Sequence, residues 1–265
     1  MPSGHPSLSA RWVAVHRGRL ARTRPSTPGG DLEGERRLYR SVGGSFALPL
    51  GRPAGLEERT RVIDAELARA LGHGTGQVVL VGAGYDGRAL RFGGGAVRFF
   101  EVDLPALQAD KQERLRSLGL RAAGVTYVGL DLRRDDLGAA LDAAGHDPAA
   151  PSLFVCEDAA AHLSLEATAL LAGALRTRAP AGSALVAGFT VAPEPGAPAR
   201  VVRATTGALV SAAGEPRRNE FRPGDPEKLM VVTGWHVTHA DSSAESRIDP
   251  GSHTLVLVCE PGPAR

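Results

Sequence analysis

The sequence predicts an α/β chain built on a doubly wound, mostly parallel β-sheet, with a terminal antiparallel strand pair and an N-terminal helical extension. Three observations carry this. Short apolar runs alternate with helix-spaced segments from Gln77 to Phe189. The first run, Val78–Val81, is continuous and mostly β-branched, as suits a parallel strand covered on both faces, and it leads straight into Gly82, Ala83 and Gly84. After Phe189 the alternation stops, and the late apolar runs Trp235–Ala240 and Thr254–Glu260, separated by the polar stretch Asp241–His253, repeat no earlier unit.

In chain order, residues 1–30 hold five arginines and no acid, a composition similar to a transit peptide. The better reading is an amphipathic helix over Ala10–Ala21 that offers Trp12, Val13, Val15 and Leu20 for packing. Arg24–Asp31 is rich in turn residues, Leu32–Val42 reads as a second helix, and Gly43–Gly55 is a Gly/Pro-rich connection. In Leu56–Leu71, Val62, Ile63, Leu67 and Leu71 recur at helical spacing, and Gly72 and Gly74 end the run. Strands are expected at Phe99–Asp103, Val125–Asp131, Ser152–Glu157 and Ser183–Phe189. Helices follow them from Pro105, a favoured first-turn residue, over Asp135–Ala144, and over Ser164–Arg178 with Ser164 as the cap. The chain divides into a helical cap over 1–72, a ligand-binding core over 77–190, a looser helical insertion over 191–233 and terminal strands over 234–265, all in one domain.

Composition excludes some functions. A formal charge of +2 gives no footprint for nucleic acid, and no apolar stretch is long enough to span a bilayer. Cys156 and Cys259 both lie in apolar strands and read as core residues of a reducing compartment, which places the chain in the cytoplasm. His236 and His239, three apart on an expected strand, would face opposite sides, and no other ligand cluster suggests a metal.

The glycine turn carries the chemistry. Gly82–Gly87 spells the dinucleotide fingerprint, yet Asp86 inside it would oppose a pyrophosphate. Acids also end the next three strands: Asp103, about 20 residues past the glycines where a carboxylate takes ribose hydroxyls, then Asp131 and Glu157. Acids around a glycine loop suit a nucleoside bearing cationic groups, and S-adenosylmethionine, with its sulfonium and ammonium, is one.

These segments resemble the leucine carboxyl methyltransferase-like branch of the class I S-adenosylmethionine-dependent methyltransferases, which includes bacterial carboxyl O-methyltransferases acting on polyketides. The resemblance lies in RTRVIDAEL (59–67), QVVLVGAGYDGRALRF (77–92), FFEVDLPALQADKQERL (99–115), Asp131-Leu132, SLFVCED with His162-Leu163, and Gly234-Trp235. It implies that Arg61 holds the cofactor carboxylate, that Gly82, Ala83 and Gly84 lie against the methionine portion, that Asp103 with Leu104 takes the ribose, that Asp131 with Leu132 takes the adenine, and that Glu157 sits near the cofactor ammonium. Two positions depart from the family pattern, which has a glycine after the glutamate and a tyrosine five residues beyond it: here they are Asp158 and His162.

His162 is therefore a candidate catalytic base, since imidazole exchanges protons near neutrality. Arg37, Tyr39 and Phe221 are candidate walls for a small-molecule methyl acceptor. The reading is O-methylation of a carboxylate or hydroxyl in secondary metabolism by a monomer or homodimer. Methylation of carbon or nitrogen on an aromatic intermediate, a nicotinamide oxidoreductase, and a cofactor-binding regulatory protein without turnover stay open beside it.

Overall fold

The computed structural model describes residues 8–20, 24–43, 55–192, 219, 221–242 and 252–263. Three helices, α1 (Leu8–Arg17), α2 (Leu32–Gly43) and α3 (Leu56–Gly72), precede the sheet. The alternating part then runs β1 (Gln77–Val81), α4 (Arg88–Phe92), β2 (Arg98–Asp103), α5 (Pro105–Ser117), β3 (Val125–Gly129), α6 (Leu137–Ala143) and β4 (Ser152–Cys156). It continues through α7 (Ala159–His162), α8 (Leu165–Arg176), β5 (Ala184–Val191), α9 (Asp225–Val232), β6 (Trp235–Ser242) and β7 (His253–Pro261).

The sheet has seven strands in the order β3-β2-β1-β4-β5-β7-β6. The first five pair in parallel, whereas β7 runs antiparallel between β5 and β6. The expected doubly wound sheet and closing antiparallel pair are therefore both present. The last strand in sequence lies inside the pair, an order that no local pattern encodes.

Alternation along each strand sorts the core onto two faces. Val79 and Val81, with Phe100, Val102, Phe154 and Leu185, pack against α8 and α9. Val78 and Leu80, with Phe99, Leu153, Val155 and Val186, pack against Val62, Ile63 and Leu67 of α3. Because both sets are buried, β1 reads as an unbroken apolar run.

Local signals set the helix ends. Ser164 caps α8 by accepting the Ala167 N–H at 3.1 Å, and Asp136 caps α6 through Ala139 N–H at 3.0 Å. Pro105 opens α5, and Gly74, at φ 86°, lies just past the end of α3.

Three expectations about packing change. In α1 the buried residues are Ala14, His16 and Arg17, while Trp12, Val13, Val15 and Leu20 are only partly covered. A β-bulge between Val237 and His239 puts His236 opposite Glu260 and His239 opposite Val258, so the two histidines share a face. Among the described residues no group of three or more His, Cys, Asp or Glu could hold an ion. Within the expected insertion the structure describes α9 as a regular helix, whereas residues 193–218, with the connection over 44–54 and most of Asp241–His253, lie outside the described residues. Cys156 and Cys259 are free and buried, and burial pushes both thiols up to about 12. No helix among the described residues is long and apolar enough to cross a membrane.

Candidate functional site

In an open α/β sheet the crevice for a ligand opens beyond the carboxyl ends of the strands, where strand order reverses. Here that point lies between β1 and β4. A cleft of about 510 Å³ opens there, in the size range of small-molecule sites. Its floor is the glycine turn and the ends of β1 to β4, and α1 forms its roof.

Left-handed backbone at Gly82 (φ 69°) and Gly84 (φ 50°) makes the turn. A Cβ on Gly84 would lie 3.2 Å from the Ala10 Cβ of α1, so roof and loop are in close contact. Polar groups pin the turn from several sides. Asp103 accepts the Gly84 N–H at 2.6 Å and its neighbour Leu104 N–H at 2.6 Å. The Tyr39 hydroxyl accepts the Gly87 N–H at 3.1 Å, and Lys111 donates to the Asp86 carbonyl at 2.6 Å. The Tyr85 hydroxyl donates to Asp110, which also takes Arg114 at 2.6 Å.

Asp131, just past β3, meets Arg133 in a forked pair, Nε to Oδ1 at 2.8 Å and Nη2 to Oδ2 at 2.7 Å. The hydrogen bonds and charge of Arg133 hold its carboxyl below the usual range. Leu104, Leu130 and Leu132 give this end of the cleft apolar walls.

Glu157, directly after β4, anchors the opposite end. Gly188 of β5 lets the backbones come this close, because a Cβ there would sit 2.2 Å from the Glu157 carbonyl oxygen. The Glu157 carboxylate accepts from Arg59 at 2.9 Å, from Arg88 at 2.8 Å and from Arg17. Burial alone would raise its pKa, but the charges of Arg17, Arg88 and Arg59 override that and hold it well below the carboxylate range. Asp86 is likewise buried and, through Arg88 and Arg17, held down to about 2.

The same lattice runs deeper. Arg88 donates to Asp64 at 2.8 Å, Arg91 to Asp64 at 2.8 Å and to Glu35 at 3.0 Å, and Arg24 reaches Glu35 at 3.1 Å and Asp64 at 3.3 Å. Ion pairs thus tie α1, α2 and α3 to the glycine turn and to the end of β4.

The structure brings Gly82, Ala83, Gly84, Asp103, Leu104, Asp131, Leu132, Glu157 and His162 to one cleft. His162 ends α7 on the cleft wall, half-buried. Five expectations are corrected. Arg61 points away, exposed on α3 and paired with Asp241 at 2.8 Å; Arg59, two residues earlier and so on the opposite side of the helix, lines the cleft in its place. Arg37 lies outside the cleft and donates to the Leu118 carbonyl at 2.6 Å. Tyr39 is buried behind the loop, and Phe221 packs edge-on against Phe189 at 5.0 Å. The opposition assigned to Asp86 is also weaker than its position suggests, since two arginines neutralise it.

Arg17 and Arg133 are the charged cleft residues that sequence reasoning missed. A signal for Arg17 existed: Ala10, Val13, Ala14 and Arg17 form one i, i+3, i+4, i+7 stripe, and all four line the cleft.

A family model described as "Leucine carboxyl methyltransferase" matches residues 45–175. A Streptomyces coelicolor protein, provisionally named an S-adenosyl-L-methionine-dependent methyltransferase, is 34% identical over 68% of this chain and 62% of its own. A Frankia alni protein of the same provisional name is 36% identical over 67% of this chain and 60% of its own. The chain thus spans about three-fifths of the length of these relatives. Among solved structures, magnesium protoporphyrin IX methyltransferase from Synechocystis superposes with a TM-score of 0.52 at 16% identity, over 84% of this chain and 92% of that one. The 1,6-didemethyltoxoflavin N1-methyltransferase of Burkholderia thailandensis gives 0.51 at 16% identity, over 77% and 79%. These two likenesses establish the fold.

Proposed function

Because the chain belongs, through residues 45–175, to the leucine carboxyl methyltransferase family, we propose that its cleft binds S-adenosylmethionine and that the protein methylates a small molecule. The observation that carries this is the convergence of Asp103, Asp131 and Glu157 with a positive-φ glycine turn in one cleft at the strand reversal.

The donor set fits this cofactor. Asp103 would take the ribose hydroxyls, Asp131 the amino group of the base, and Leu104 and Leu132 its faces. Arg59 and Glu157, side by side, match the carboxylate and ammonium of an amino acid. Bound there, S-adenosylmethionine would supply a methyl group on a sulfonium that leaves as a neutral thioether.

The chain's own residues then position the acceptor and exclude water. An ionised carboxylate acceptor needs no base, and holding it in a near-attack geometry supplies effective molarities of roughly 10⁵ M or more. A hydroxyl acceptor must lose a proton, and His162 on the cleft wall is placed to take it, a role worth roughly 10²–10⁴ in rate. We assign the protein to O-methylation of a carboxylate or hydroxyl in secondary metabolism, including antibiotic biosynthesis. It would work in the cytoplasm as a monomer or homodimer, without nucleic acid or membrane.

The test is transfer of radiolabelled methyl from S-adenosylmethionine to panels of small carboxylic acids and phenols, with the wild type and His162→Phe. Product from phenols that falls at least 10²-fold in the variant supports His162 as the base. Product from carboxylates in both proteins removes that role while keeping the methyl transfer. Binding of the cofactor with no product from either panel favours a regulatory protein.

A further inference from the structure

We propose that Asp158 selects the methyl acceptor by charge: the substrate is a hydroxyl compound that carries a protonated amine, and the amine pairs with Asp158 while the hydroxyl lies by His162. The proposal rests on the methyltransferase reading of the cleft and deepens it by naming the acceptor class.

The Asp158 carboxylate has no structural task that accounts for it. It stands at the cap position of α7 yet makes no capping hydrogen bond, whereas Asp136 and Ser164, at the same position of α6 and α8, both do. Its ion pair with Arg59 is long, at 3.9 Å, and its side chain is 37% exposed where it lines the cleft. Glu157 beside it differs. That side chain is 9% exposed and takes Arg17, Arg59 and Arg88, so its charge is met inside the protein. Asp158 therefore offers its carboxylate to a ligand, and the group that gains from it is a cation with hydrogens to donate.

The cleft as a whole favours the same sign. Its lining sets Arg17, Arg59 and Arg133 against Asp86, Asp103, Asp131, Glu157 and Asp158, three positive groups to five negative, an excess of two negative charges. S-adenosylmethionine, with a sulfonium and an ammonium against one carboxylate, offsets one of these. An acceptor bearing an ammonium offsets the other, whereas a carboxylate acceptor would restore the excess and face Asp158. Asp158 and His162 stand at the two ends of α7, four residues and so roughly 6 Å apart along its axis. An amine and a hydroxyl at opposite ends of a small aromatic molecule span such a gap.

Three phenols that differ in one group separate this role from that of a merely solvated side chain: tyramine with an ammonium, para-ethylphenol with no charge, and para-hydroxyphenylpropionate with a carboxylate. Each is titrated calorimetrically into protein saturated with S-adenosylhomocysteine, as wild type, Asp158→Asn and Asp158→Lys. The wild type should bind tyramine most tightly and the propionate least. Asp158→Asn should weaken tyramine about five- to tenfold and leave ethylphenol within about twofold. Asp158→Lys should reverse the order of tyramine and the propionate. An equal response of all three phenols to Asp158→Asn, or tighter binding of the propionate by the wild type, overturns the proposal. So does a wild type that binds S-adenosylhomocysteine but not tyramine, a result that leaves the cofactor reading standing. A wild type that binds no S-adenosylhomocysteine removes that reading first and this inference with it.

Discussion

Replacing Arg88 by Met removes the hub of the buried ion lattice and tests whether that lattice holds the glycine turn. Arg88 is fully buried and reaches Asp64 at 2.8 Å, Asp86 at 2.5 Å and Glu157 at 2.8 Å. Methionine fills much of the volume, so the change is chiefly electrostatic. Swapping a whole buried ion cluster for apolar groups is often neutral, but removing one partner strands the others, at about 3–5 kcal/mol. At ~2.1 cal/mol/K per residue, unfolding this 265-residue chain carries about 0.56 kcal/mol/K, so the melting temperature should fall by about 5–9 °C. The pH dependence gives a second handle. Asp64, Asp86 and Glu157 all titrate below their ordinary range when folded, Asp86 near 2, despite a burial cost that acts the other way. A carboxyl depressed on folding contributes stability above its unfolded pKa and loses it as pH falls through its folded pKa. The wild type therefore has more to lose on acidification, and the gap between the two proteins should close from about pH 4 toward pH 2. Scanning calorimetry across that range is the assay. An unchanged or raised melting temperature at pH 7 would refute the reasoning.

Other outcomes follow from the same geometry. Gly84→Ala forces a side chain into left-handed backbone and against Ala10, so it should cost about 1–2 kcal/mol and weaken nucleoside binding; unaltered melting and affinity would contradict the close roof contact. His146, buried and next to Arg178, has its pKa pushed from 6.5 down to about 4, first by burial and then by that charge. The unfolded chain therefore takes up a proton that the folded one refuses, and stability should fall as pH drops from about 6.5 to 4, by at most about 3 kcal/mol. His146→Asn should flatten that slope in a denaturant titration, and an equal slope in both proteins would count against it.

Much of the architecture was legible because β1 to β5 and their helices carry local signals: apolar period, Pro105, Ser164 and the glycines. The cleft floor was legible for a related reason. Strand-end acids in a doubly wound sheet are brought together by topology, so Asp103, Asp131 and Glu157 could be placed from strand assignments alone. Side-chain direction on α3 was not. Arg59 and Arg61 lie two residues apart, and helical rotation of roughly 200° sends one inward and the other out to Asp241. The apolar stripe of Val62, Ile63 and Leu67 did not settle which. The ion lattice was hidden for a different reason, since it joins residues as distant as Arg17 and Glu157, and sequence spacing says nothing about such pairs. Placement of β7 between β5 and β6 is likewise a tertiary choice. The bulge at Val237/His239, which reversed the facing of His236, has no marker in the strand's composition.

The central claim, that the cleft receives an amino-acid-bearing adenosine cofactor, is tested most directly by calorimetric titration of the wild type with S-adenosylmethionine and, separately, with NADH, repeated on Asp103→Ala. The account predicts micromolar binding of S-adenosylmethionine alone, lost in the variant. Binding of NADH without S-adenosylmethionine would contradict it and return the glycine turn to a pyrophosphate-binding role.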